Sequence, residues 1–94
     1  MIYIVDIDNT ICTQQKSGEY YKALPYKNRI KKLNDLYNKG HDIIYWTGRG
    51  SATNVDYHDL TIKQLSEWGV KYTKLKMNKP VYDVWVDDKA NWLF

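Results

Sequence analysis

Two aspartates, Asp6 and Asp8, stand in "DIDNTIC" (6–12), directly after the apolar run "MIYIV". In extended backbone, residues two apart share a face, which sets these carboxylates roughly 6 to 7 Å apart along the strand. Like charges that close raise each other's pKa and disfavour the fold unless a cation neutralises them. "TGRG" (47–50) follows the second apolar run, Lys79 stands in "NKP", and Asp87 and Asp88 close the last run. Lys79 and Arg49 are the fixed cations available to an anion on this rim. Four carboxylates on one rim also suit a hard divalent cation with oxygen ligands, and Mg2+ where phosphate is held as well.

Each of these signals is weak alone, because acidic residues commonly end strands and cap helices, and Gly and Thr are ordinary loop residues. Their weight comes from order. In an open α/β sheet ligands bind outside the carboxyl ends of the strands, and each group here follows a strand-like run.

The elements that must position them are short. "IYIV" (2–5), "DIIYW" (42–46) and "VYDVWV" (81–86) are β-rich and apolar on both faces, the pattern of a parallel sheet covered on both sides. "VKYTKLKM" (70–77) carries Lys71, Lys74 and Lys76 and predicts a lysine-blunted edge strand. Between the strands, Ile30, Leu33, Leu36 and Tyr37 recur at helical spacing before Gly40, and Ile62, Leu65 and Trp68 do so before Gly69. "KANWLF" predicts a short last helix or a docking tail. Strands alternating with helices predict a three-layer, Rossmann-like α/β domain with a mostly parallel sheet and right-handed crossovers. The 13–26 stretch is the longest irregular segment, a length at which loops tend to carry function.

Composition bounds the rest. The 94 residues form one domain, with 44% hydrophobic residues, 15% aromatic and a formal charge of +3. That balance fits an anionic substrate; "KNRIKK" (27–32) falls on a predicted helix, where lysines usually form a solvated face, so nucleic acid is the less favoured partner. The single cysteine, Cys12, rules out an intrachain disulfide. No signal-peptide pattern opens the chain and no apolar run approaches a membrane span, so a cytoplasmic location is the expectation.

With those residues in view, the chain resembles a phosphatase of the haloacid dehalogenase superfamily along nearly its whole length. "DIDNT" matches motif one, Thr47 of "TGR" motif two, Lys79 motif three and "DD" at 87–88 motif four. It is most similar to small, cap-free members associated with bacterial polysaccharide biosynthesis. The resemblance implies Asp6 as nucleophile forming an aspartyl phosphate, and Asp8 as general acid and base. It implies Mg2+ held by Asp6, the Asp8 backbone carbonyl and Asp87, with Asp88 as a further ligand or a helix cap. Thr47, Lys79, backbone N–H groups near Asn9, and the loop residues Gly48 and Arg49 would hold the substrate.

Asn9 and Asn78 stand where the family commonly has Gly. Asn is the non-glycine residue most at ease in left-handed backbone, so both loops are expected to keep their shape. The expected substrate is a sugar phosphate or related small metabolite, reached without a cap domain, with a homo-oligomer as one way of walling an open site. The competing readings are a nucleic-acid-end phosphatase, a phosphotransferase or mutase, and a non-catalytic phosphate-binding module.

Overall fold

The structure, a computed structural model, describes every residue from Met1 to Phe94. Three strands, β1 (Ile2–Val5), β2 (Asp42–Trp46) and β3 (Lys74–Lys76), form a parallel sheet in the order β1-β2-β3. Helix α1 (Lys27–Asn38) links the first pair and α2 (His58–Glu67) the second. Register pairs Tyr3 with Ile43 and Val5 with Tyr45, then Tyr45 with Leu75.

Both helices stop as their sequences predict. Gly40 (φ 95°) donates to the Tyr37 carbonyl at 3.0 Å and His41 to Leu36 at 3.2 Å. Gly69 (φ 68°) donates to Ser66 at 3.1 Å and Val70 to Leu65 at 2.9 Å. In each case a left-handed glycine lets the chain turn back onto carbonyls that would otherwise be orphaned.

Alternation along β1 and β2 sends Val5, Ile43 and Tyr45 into one core with Ile30 and Leu33 of α1 and Leu65 of α2. Each fully buried aliphatic side chain of this kind contributes roughly 1.5–3 kcal/mol. Two crossovers of one hand, made in the same direction across a sheet, place both helices on the same side. The expected helical layer on the second face is therefore not supplied by α1 or α2. Ile2 and Ile4, which point that way, are 67% and 63% exposed.

The α/β class and the parallel sheet accord with the sequence; the fourth strand does not. Residues 81–86 carry no strand and form no backbone ladder, and Val81, Val84 and Val86 are exposed. β3 is also shorter than 70–77. Thr73 takes over the rung before it, its N–H donating to the Ile43 carbonyl (2.8 Å) and its hydroxyl accepting the Ile43 N–H (3.1 Å). "KANWLF" is a docking tail and not a helix. Lys32 donates to the Leu93 carbonyl at 2.6 Å, and the Arg29 guanidinium lies 5.2 and 5.3 Å from the Trp92 and Phe94 rings.

Candidate functional site

The loop leaving β1 folds back tightly. Thr10 and Ile11 donate to the Ile7 carbonyl at 3.1 and 2.9 Å, and Asn9 donates to Cys12 at 2.9 Å with φ 58°. Asn78, just before Lys79, has φ 60°. Both asparagines thus occupy the left-handed geometry expected of them. The Asn9 N–H is already bonded to Cys12, however, so it is not the free donor the sequence suggested.

Asp6 sits at the carboxyl end of β1. Its Oδ1 accepts the Ile7 N–H at 2.8 Å, and its Oδ2 lies 3.8 Å from the Lys79 ammonium. Burial pushes the Asp6 carboxyl above its ordinary value, against the pull of Lys79 and the Ile7 N–H, with Asp8 adding a smaller upward push. Lys79 is fixed from two sides. Its backbone N–H donates to the Thr47 carbonyl at 3.0 Å, and its ammonium lies 5.2 Å from the Tyr82 ring and 5.6 Å from the Trp85 ring. A cation over aromatic faces is attracted by their quadrupoles.

These groups line a hollow of about 230 Å³ bounded by Asp6, Gly48, Lys79, Pro80, Val81 and Tyr82. The Gly48 N–H faces no protein acceptor. The hollow therefore offers a carboxylate and an ammonium, with the Gly48 backbone in its wall. A second hollow, about 270 Å³, opens by Asn54, Tyr57 and Asn78 and shares neither Asp6 nor Lys79.

Asp8 faces a different neighbour. Arg49 grips its carboxylate as a fork, Nη2 donating to Oδ1 at 2.9 Å and Nε to Oδ2 at 3.0 Å. Bidentate pairs of this kind fix orientation as well as charge. The Arg49 residue is only 2% exposed. Its Nη1 donates to Gln64 Oε1 at 2.6 Å and to the Thr61 hydroxyl at 3.2 Å, and the Tyr20 ring lies 4.9 Å from its guanidinium carbon. The expectation that Arg49 touches substrate is thus corrected, because its donors are committed inside the protein.

Thr47 is likewise fully buried, and its hydroxyl accepts the Arg49 N–H at 3.1 Å. It supports the loop and does not line the hollow. Gly50, with φ 82°, completes that loop, and a Cβ there would meet the Val55 carbonyl oxygen at 1.9 Å. Cys12 is buried beside Asp8 and Arg49, and burial above all pushes its thiol up to about 12, leaving it a small inert packing group.

The carboxylates at the far end of the chain stand apart. Asp87 and Asp88 lie in the exposed 81–92 stretch, and Asp87 Oδ1 accepts the Lys89 N–H at 2.9 Å. That bond, ahead of contacts to Asp88 and Trp85, holds the Asp87 carboxyl below its usual range. No three acidic, His or Cys side chains converge anywhere as a metal seat. Asp87 and Asp88 are thus not gathered beside Asp6 as the sequence implied, and the Asp8 carboxylate is taken by Arg49; of the implied Mg2+ ligands, Asp6 and the Asp8 backbone carbonyl remain on this rim.

Sequence reasoning missed Thr61 and Gln64. Both are polar residues fully or almost fully buried on α2. The available signal was their three-residue spacing on the helix face that also carries Leu65, a polar pair where an apolar stripe should run.

Across 96% of its length the chain matches a crystal structure of a structural-genomics target from Vibrio cholerae, with a TM-score of 0.86 and 25% sequence identity over 81% of that chain. No family model and no curated protein matches this chain. The likeness supports the small parallel α/β fold. No helix is long and apolar enough to cross a membrane.

Proposed function

We propose that the hollow at the end of β1 hydrolyses a phosphate monoester through an aspartyl phosphate on Asp6. The observation that carries this reading is the Asp6 carboxylate opening into a small cavity with the Lys79 ammonium 3.8 Å away. A nucleophilic oxygen and a fixed cation in one partly desolvated hollow are what attack on a phosphoryl group requires.

In the first step an Asp6 oxygen bonds to phosphorus as the ester P–O bond breaks, and the leaving oxygen takes a proton from Asp8, which enters the step as the neutral acid and leaves it as a carboxylate. Lys79 and the Gly48 N–H offset the charge on the phosphoryl oxygens. In the second step water attacks the phosphorus, its proton passes to Asp8, and Asp6 is released as a carboxylate with inorganic phosphate. No step here passes through a metal. Asp6 and the Asp8 backbone carbonyl are the oxygen ligands this rim would offer Mg2+, so the cation belongs in the assay as a variable. A hollow of this size, walled by Pro80, Val81 and Tyr82, suits a phosphate on a small carbon skeleton such as a sugar phosphate.

The test is phosphate release from a panel of sugar phosphates, nucleotides, a 3′-phosphorylated oligonucleotide and an aryl phosphate, with Mg2+ or EDTA. Turnover of small esters in water is expected, with Asp6→Asn and Asp8→Asn each lowering it ~10³-fold or more. A folded protein that releases phosphate from none of them contradicts the proposal. Turnover appearing only when an acceptor alcohol is added would make the protein a phosphotransferase.

A further inference from the structure

Arg49 joins four parts of the chain that are distant in sequence. It comes from the loop after β2, and it holds Asp8 at the end of β1 and Thr61 and Gln64 on α2. The chain of bonds continues. Gln64 accepts from Arg49 Nη1 at its Oε1 and, with its Nε2, donates to the Tyr20 backbone carbonyl at 2.7 Å. Tyr20 opens a short 3-10 turn, Tyr20–Lys22, inside the 13–26 segment. That segment is pinned at its base by Thr13 N–H to Leu24 (2.9 Å) and Tyr26 N–H to Ile11 (2.8 Å). The same tyrosine closes the assembly by laying its ring over Arg49 and packing edge-to-face on Tyr57, 4.9 Å between centroids.

From this geometry we infer that Arg49 is a positioning residue that aims the Asp8 carboxylate, and that Gln64 links this aim to the 13–26 segment. The inference rests on Asp8 as the proton carrier of the proposed reaction. A buried guanidinium has no water to fall back on, so each of its donors must keep a protein partner. The Gln64 amide can satisfy Arg49 and Tyr20 together in one orientation only, with oxygen toward Arg49 and nitrogen toward Tyr20. Movement of the Tyr20 turn therefore disturbs the amide, the guanidinium and the carboxylate in sequence. Thr61 braces the far side, its own hydroxyl donating to the Tyr57 carbonyl at 2.7 Å. The 13–26 segment is in this way wired to the group that moves the proton.

Two conservative substitutions separate the links. Arg49→Lys keeps the charge and loses the fork. It should lower kcat for phosphate release by about 10-fold or more, with KM within about twofold, because a misaimed proton carrier costs the chemical step and not ground-state binding. Gln64→Glu keeps an acceptor for Arg49 and removes the donor to Tyr20. It should speed amide exchange at Lys22 and Ala23, which close the Tyr20 turn at 2.9 and 3.0 Å, by about 10-fold while leaving Val70 unchanged.

An unchanged kcat in Arg49→Lys, or a change confined to KM, overturns the positioning role. Unchanged exchange at Lys22 and Ala23 in Gln64→Glu overturns the link to the segment. If the wild-type protein releases no phosphate, the phosphatase reading and the catalytic half of this inference fail together. The exchange measurement still decides the link by itself.

Discussion

Asp6 is the residue on which the proposed chemistry turns, and its surroundings make it costly to the fold. Burial raises its carboxyl above the ordinary value of 3.8 more than Lys79 and the Ile7 N–H lower it. A group whose folded pKa is raised contributes stability that is fully present below its unfolded pKa and lost as pH rises through the folded one. At neutral pH the ionised Asp6 therefore weakens the fold. Asp6→Asn, which keeps an oxygen for the Ile7 N–H, should raise the melting temperature at pH 7. The gain over wild type should shrink as pH falls toward and below 3.8. Thermal melts of both proteins between pH 3 and 7 check this; an equal or lower Tm for the variant at pH 7 would show that the Lys79 attraction outweighs burial. Asp8 shows how far sequence spacing can be read. Its place beside Asp6 was legible from a two-residue interval. The identity of its partner was not, because Arg49 and Asp8 are 41 positions apart and nothing local to "TGRG" says which way an arginine turns.

The elements show a similar division. Helices α1 and α2 and strands β1 and β2 were legible because each carries its own signal: a period of 3.6 ended by a left-handed glycine, or a short β-branched run. Asn9 and Asn78 were legible for the same reason, since the demand for positive φ is local. The 81–86 run has a strand's composition but not a strand's bonds. Composition reports fitness for a pleated, buried surface, and pairing depends on whether a partner edge is met. The Asp87–Asp88 placement failed with it, because those carboxylates reach the rim only if the run before them is a strand beside β1. The structure makes a plain prediction here: no backbone group of 81–86 takes part in a ladder, so these amides should exchange at nearly unprotected rates, while Ile43 and Tyr45 exchange slowly. Native-state hydrogen exchange checks it. Protection across Val81–Val86 would mean that the segment has joined the sheet, and would bring Asp87 toward Asp6.

At the scale of the molecule, one core on one face of a three-stranded sheet is a small foundation, and the site uses the stiffest part of it. Asp6, Asp8 and the 47–50 loop all leave the carboxyl ends of β1 and β2, whose pairing spans Ile2 to Val5 against Asp42 to Tyr45. Lys79 is tied to that frame through Thr47. The substrate-facing wall, Pro80 to Tyr82, belongs to the exposed C-terminal stretch, so the reacting groups are held more firmly than whatever selects the ester. The formal charge of +3 favours anionic ligands in general and singles out none. The proposed chemistry passes through phosphorylation of Asp6. The most direct measurement is acid quenching of the protein during turnover of the best ester in the panel, followed by mass mapping of the peptide that contains Asp6. One added phosphoryl group is expected on Asp6 of the wild-type protein, and none on the same peptide of Asp6→Asn. Turnover with no phosphoryl group on that peptide, or turnover that survives Asp6→Asn, would contradict it.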